Sequence, residues 1–364
     1  MLVHIIHFTA IFSSLNNGLT VPFVLVLCGK INTRMERKNI STINTPRIIP
    51  TLVAGFNTVA ANILLILIPV GLDLLYWFGP HLRLKTLLEP MITSVNKDMI
   101  QINPDISETV MLAQKLWDNI LTQYNLTTAL SSFPIGVPSL ITYLSPLKTP
   151  AGNAHIIEIS SVNNAILVWV AFVLAGLLIG CIYFNFLSRA TAEMKIEFSW
   201  RALLQQYIQT ISIALLAFAL ILIITIPLTI LLSFVSALTG NGIQIALLVI
   251  GFMLIWLLLP LVFSPHGIFV LGQKAITSTI FSVRMVRSYL PGTGLFVFTA
   301  VILNEGLRML WQIPPENSWM LTVGIFGHAF IVTSVLASSF LYYRSGVRMV
   351  QANLQQASQP SAAA

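Results

Sequence analysis

Six stretches of almost unbroken apolar residues recur along the chain, at 48–78, 164–187, 208–238, 243–263, 295–311 and 319–343. A helix needs about 20 mainly apolar residues to cross the hydrocarbon core of a bilayer, and these runs meet or approach that length. The pattern predicts an all-α polytopic transmembrane helix bundle with six spans, or seven if the apolar residues 1–29 also insert. Two strips between spans, 188–206 and 268–290, mix apolar with charged, mainly basic positions. Such strips suit helices lying on the cytoplasmic interface, apolar face in the headgroups and basic residues against anionic lipid. The long segment 81–161 carries a third pattern. There Leu112, Leu116, Ile120 and Tyr124 recur at helical spacing, with Trp117 and Leu121 beside them, so an amphipathic helix is predicted over 107–130 in an outer, mainly helical insertion. Its apolar face needs a partner: the membrane interface, the strip 133–138 of the same loop, or another protein.

Punctuation along the runs refines this outline. Pro69 and Gly71 should bend the first span, and Pro227 should kink the third. Gly79-Pro80, Thr239-Gly240-Asn241-Gly242 and Pro314-Pro315-Glu316-Asn317 mark turns, and Ser264-Pro265-His266-Gly267 breaks the chain between the fourth span and the second strip. Gly176 and Gly180 form a Gly-x-x-x-Gly motif, which lets helices pack closely in a bundle or a dimer. The order span, strip, span occurs at 164–238 and again at 243–311, a possible parallel repeat carried by hydropathy rather than residue identity. The chain thus divides into an N-terminal segment 1–47, a first helix 48–80, the insertion 81–161, a five-helix membrane domain 162–345 and a tail 346–364. That tail, rich in Gln, Ser, Pro and Ala, is expected to be disordered. No basic residue precedes the apolar part of 1–29, a poor secretory signal, and Met35 is an alternative start.

Composition and charge agree with a bilayer as solvent. The chain is 56% hydrophobic and 9% charged, against roughly 25% charged in soluble domains. Thirteen of its 19 basic residues fall before the first span, in the two strips or after the last span, while five lie in the long insertion, where they weigh least. Both termini are therefore expected in the cytoplasm of a multi-pass cell-membrane protein. A basic excess so placed points to anionic lipid as a partner and away from nucleic acid.

Candidate chemistry is sparse. Within the fifth span, Glu305 and Arg308 stand three residues apart on one helix face, where each can neutralise the other and so lower a burial cost of roughly 2.5–3.5 kcal/mol per central charge. With Asn304 and His328 of the last span they could build an intramembrane polar site or pathway, or a structural contact between helices. Asp73, near the end of the first span beside Tyr76 and Trp77, reads as an intramembrane carboxylate or an interfacial acid. Cys28 and Cys181 lack metal-ligand spacing, and no zinc, nucleotide-binding or nucleophile-elbow motif occurs, so no catalytic residue, metal or cofactor is expected. Asn125-Leu126-Thr127 is a glycosylation sequon, meaningful only in a glycosylating secretory pathway.

From Phe263-Ser264-Pro265-His266-Gly267-Ile268 through Ala275-Ile276-Thr277-Ser278-Thr279-Ile280-Phe281-Ser282-Val283-Arg284-Met285-Val286-Arg287-Ser288, the chain resembles bacterial polytopic membrane proteins of unknown function. These include the membrane domain attached to some glycerophosphodiester phosphodiesterases. The likeness covers 243–311 and implies a helical membrane domain without catalytic residues of its own. The expected function is a non-enzymatic integral membrane protein organising partners or lipids at the cytoplasmic face, alone or with a membrane-protein partner or as a homo-oligomer. The alternative is a small-solute or lipid transporter with Glu305, Arg308 and Asp73 on its path.

Overall fold

The computed structural model describes residues 46–104, 107–144, 146–194, 197–239, 249, 251–253 and 261–358. The apolar and basic stretches before residue 46, with Cys28 and Met35, lie outside the described residues. So do the turn at 240–242, most of the fourth span and the last six positions. Among the described residues, four helices are long and apolar enough to cross a membrane, and a bent pair makes a fifth if its halves count together.

The bent pair comes first. Helix α1 (Ile48–Ala61) passes through a 3-10 turn (Ile63–Ile66) into α2 (Leu67–Phe78), and the halves meet at 93°. The expected bend at Pro69 and Gly71 is displaced to Asn62. Side chains there compete with the helical ladder: Thr58 Oγ1 donates to the Ala54 carbonyl at 2.8 Å and Asn62 Nδ2 to the Thr58 carbonyl at 2.9 Å. Pro69 instead occupies the third position of α2, where a helix leaves its N–H unused. At 1.5 Å per residue the halves are only about 21 and 18 Å long.

After α2 come strand β1 (His81–Arg83), then α3 (Lys85–Ile102) and α4 (Ser107–Gln123), packed against each other. A 3-10 turn (Leu126–Ser131), the short α5 (Ile141–Leu144) and strands β2 (Lys148–Thr149), β3 (Gly152–Asn153) and β4 (Ile156–Glu158) complete the segment. β1 pairs in parallel with β4, and β2 with β3 as a hairpin. The strip 133–138 does not cover the apolar face of α4. Ile135 and Val137 are fully buried against the membrane helices, and Leu112, Leu116, Trp117 and Ile120 stay exposed.

The Gly176–Gly180 motif explains where that strip goes. Both glycines lie on α6 (Val162–Ala190), where a Cβ on Gly176 would meet the Leu130 carbonyl oxygen at 2.2 Å and one on Gly180 would meet that of Ile135 at 2.2 Å. The motif receives the backbone of the inserted loop, not a second helix. Helix α7 (Trp200–Thr239) follows, so the first amphipathic strip is absorbed at both its ends into α6 and α7, and the described residues between them form no separate helix. The α7 apolar side chains Leu215, Phe218, Ile223, Ile226 and Ile230 are exposed, as a surface solvated by lipid would be.

The second strip behaves differently. Ser264-Pro265-His266-Gly267 opens α8 (Ser264–Leu271), with proline in the first turn, and Gly272 ends it at φ 63°, a left-handed cap that suits glycine. Helix α9 (Ala275–Ser288) leads into α10 (Leu290–Trp311). Two helices here against none among the described residues of 191–199 leave the proposed repeat without a shared connection among the described residues.

Helix α11 (Leu321–Ser358) is the hub, touching α1, α2, α6, α8 and α10. Gly55 of α1 permits the closest approach: a Cβ there would lie 2.0 Å from Ser338 Oγ. The expected disordered tail is instead helical to Ser358. Arg344 Nη2 donates to the Ser188 carbonyl at 2.8 Å, Arg348 pairs with Glu193, and Val347 packs in the second apolar cluster, so these contacts carry the helix past its apolar run.

Candidate functional site

The C-terminal half of α10 carries a row of linked polar side chains. Asn304 Nδ2 donates to Glu305 Oε1 at 3.0 Å. Arg308 Nε and Nη2 meet Glu305 Oε2 at 2.7 and 2.6 Å, and Arg308 Nη1 donates to Gln312 Oε1 at 3.2 Å. The row spans the nine residues from Asn304 to Gln312, about 12 Å of helix. It runs around the flank of α10 from the exposed stripe of Phe298, Ile302 and Met309 towards α11. Accessibility grades along it: the Glu305 side chain is 38% exposed and that of Arg308 18%. On α11, His328 is 2% exposed and within electrostatic reach of both charges. Four buried atoms in this region have no hydrogen-bond partner among the described residues: Asn304 Oδ1, Trp311 Nε1, Gln312 Nε2 and His328 Nδ1. The Trp311 indole lies over Gly327, next to His328, where a side chain on the glycine would meet the ring at 2.7 Å.

Four of the five sequence-predicted polar residues are therefore brought together, and Asp73 is not. Its buried carboxylate accepts from the Ser139 hydroxyl, from the Leu140 N–H at 3.2 Å and from the Ile141 N–H at 3.1 Å. It caps α5 and pins the inserted loop, and both its oxygens are occupied. Gln312 and Trp311 were missed in the sequence, although Gln312 stands four residues beyond Arg308.

A second buried polar centre surrounds α8. His266 Nε2 lies 2.8 Å from Ser339 Oγ, within a cage of Phe184, Phe263, Phe340 and Tyr343. A Ser–His contact acts in catalysis when a third group orients the imidazole. Here Nδ1 has no hydrogen-bond partner among the described residues, and His266 is buried. Ser278 Oγ donates to the Ser264 carbonyl, and both it and the Tyr343 hydroxyl crowd the face of Gly267, where no side chain would fit.

Helix α9 turns Ala275, Ser278, Ser282, Met285 and Val286 inwards, all of them buried. Its opposite stripe is Ile276, Ile280, Arg284 and Arg287, all exposed, with Ile276 at 67%. Arg287 also lies in the last helical turn, where the backbone dipole favours a cation. Nearby, Trp200, Arg201 and Leu204 at the start of α7 are exposed as well.

At the polar end of the insertion, His81 is buried at the start of β1, and burial holds its imidazole below the ordinary value of 6.5, with the Arg83 charge acting in the same direction. Asn125 of the sequon is 2% exposed, and its Oδ1 accepts from the Leu82 N–H at 3.0 Å and the Thr127 N–H at 3.1 Å.

Comparison of the chain with protein-family models, with curated proteins and with solved structures finds no match.

Proposed function

We propose that this chain is a non-enzymatic integral membrane protein of six spans, both termini cytoplasmic, that organises lipids or partners at the cytoplasmic face. The observation that carries this reading is the outward stripe of α9, two exposed isoleucines followed by two exposed arginines. Its buried Ala–Ser–Ser–Met side fixes the rotation of the helix, so the stripe is held outwards. The isoleucines suit the acyl boundary and the arginines the phosphate layer. Each basic residue near an anionic leaflet contributes about 1 kcal/mol.

The test is lipid retention by the full chain, extracted from bilayers of phosphatidylglycerol and phosphatidylcholine and weighed by native mass spectrometry. Wild type should retain phosphatidylglycerol preferentially, and Arg284→Gln with Arg287→Gln should lower that preference several-fold. Equal retention by the two proteins would overturn the reading.

The polar row on α10 favours a second reading, transport of a small solute or lipid past Glu305 and Arg308. Single cysteines at 301–310, in a version lacking Cys28 and Cys181, separate the two. Labelling by an impermeant thiol reagent along the Glu305 stripe supports transport, and an unlabelled centre from both sides excludes a water-filled path.

A further inference from the structure

We infer that the flank of α10 at Asn304, Glu305, Arg308, Trp311 and Gln312, with His328 behind it, is a binding site for a phosphate-headed amphiphile. The ligand would enter sideways from the leaflet into which the C-terminal end of α10 runs, and would carry a hydrogen-bond donor where its head joins its tail.

The argument starts from exposure. Glu305 borders the stripe of Phe298, Ile302 and Met309, whose exposed apolar side chains suit lipid, so a polar row opens onto hydrocarbon there. The ion pair satisfies Glu305: one oxygen takes Asn304 and the other takes Arg308. What remains unsatisfied lies at the two ends of the row. Towards the Gln312 end are two donors, Trp311 Nε1 and Gln312 Nε2. At the deeper end is an acceptor, Asn304 Oδ1. His328 Nδ1, on a residue 2% exposed, is the fourth unpaired atom and belongs to the helix that packs against α10. Buried polar atoms without partners cost about 1–3 kcal/mol each, and a group of them calls for a complementary molecule.

The polarity of the row specifies that molecule. Acceptor oxygens belong beside Trp311 and Gln312, nearest the polar turn that follows α10, which is the depth of a lipid phosphate. A donor belongs on the hydrocarbon side of that phosphate, towards Asn304, which is the side of a glycerol hydroxyl or an amide N–H at the head–tail junction. A second apolar helix could cover Phe298 and Met309 but would leave the unpaired donors as they are. A water-borne phosphate would satisfy the donors but has no chain to lie along the apolar stripe. The α9 stripe plays no part in this site.

Lysophosphatidic acid, which has a phosphate, a free glycerol hydroxyl and one chain, is the minimal probe. The full chain in phosphatidylcholine nanodiscs should bind it saturably. Trp311→Phe with Gln312→Leu should weaken binding about thirtyfold, the loss of two hydrogen bonds of about 1 kcal/mol each beyond packing changes. Asn304→Leu should weaken it about threefold to fivefold, by the same reasoning for one bond. Gln312→Leu alone, which leaves the indole on Gly327, serves if the double variant fails to fold, and should weaken binding about fivefold. Glycerol phosphate at equal concentration should not compete. The site is overturned if the folded variants bind as wild type does, or if glycerol phosphate competes as well as the amphiphile. It is equally overturned if binding is lost only with Arg284→Gln and Arg287→Gln, which would place the probe at the α9 stripe.

Discussion

Asp73 and Ser139, sixty-six positions apart, are joined by a buried hydrogen bond in which the serine hydroxyl donates to the carboxylate. Two backbone N–H groups of the same loop complete the cap. The residue read in the sequence as an intramembrane carboxylate or an interfacial acid is thus a clamp between α2 and the loop 126–144. Asp73→Ala leaves three donors unsatisfied and should lower stability by about 3 kcal/mol, whereas Asp73→Asn keeps an acceptor and should lose less than half of that. Because Cys181 is fully buried, reaction of its thiol with a fluorogenic dye during heating, in a Cys28→Ser background, reads out unfolding.

The glycine pair on α6 makes a second prediction. Gly176→Val and Gly180→Val each drive a side chain into a backbone carbonyl at 2.2 Å, so neither can be relieved by rotating a neighbour. Each should cost about 1–3 kcal/mol or expel the loop. Limited proteolysis should then cut within 126–144, where wild type resists. Were Gly-x-x-x-Gly a dimer seam instead, the substitutions would change the oligomeric state and leave the protease pattern alone.

Arg308→Leu and Glu305→Leu test the ion pair. Either alone strands a charge in an apolar surround and should cost about 3 kcal/mol. The two together should fall within about 1 kcal/mol of wild type, since replacing a buried pair as a unit is often neutral. The same thiol assay measures all three proteins. A double variant as unstable as the singles would show that the pair holds the bundle together.

His81 should make stability depend on pH. Its folded value lies below 6.5, so its neutral form is favoured by folding. That contribution is complete above pH 6.5 and is lost as pH falls below 6.5 towards the folded value. Glu316 acts in the opposite direction, because burial raises its carboxyl above 4.5 and favours folding at low pH. The difference between wild type and His81→Gln isolates the histidine. Between pH 8 and pH 5 wild type should lose stability that the variant keeps, and parallel curves would refute the assignment.

Much of this architecture could be read in the residues. Long apolar runs at 164–187, 208–238, 295–311 and 319–343 became α6, α7, α10 and α11, since a span needs only length and the absence of charge. Glu305 and Arg308 were visible as a pair because three residues close a helical face. Gln312 was equally placed, but a neutral amide raises no alarm in an apolar run. The Ser-Pro-His-Gly break was visible as a break and not as the start of a buried helix, because its partner Ser339 is 73 positions away. The bend fell at Asn62 and not Pro69 because proline near a helix start removes no bond. The tail became helix through Arg344 and Arg348, whose partners lie on and just beyond α6.

Asn125 carries a consequence of another kind. The residue is 2% exposed and its Oδ1 holds two backbone N–H groups, so an oligosaccharide on its Nδ2 would disturb the packing and the bonds of the finished fold. In a host that modifies sequons during synthesis, sugar attachment would race the closing of this segment. The fraction of chains glycosylated at Asn125 would then count the molecules that arrived at the transferase before they had folded, a built-in clock for the biogenesis of the protein.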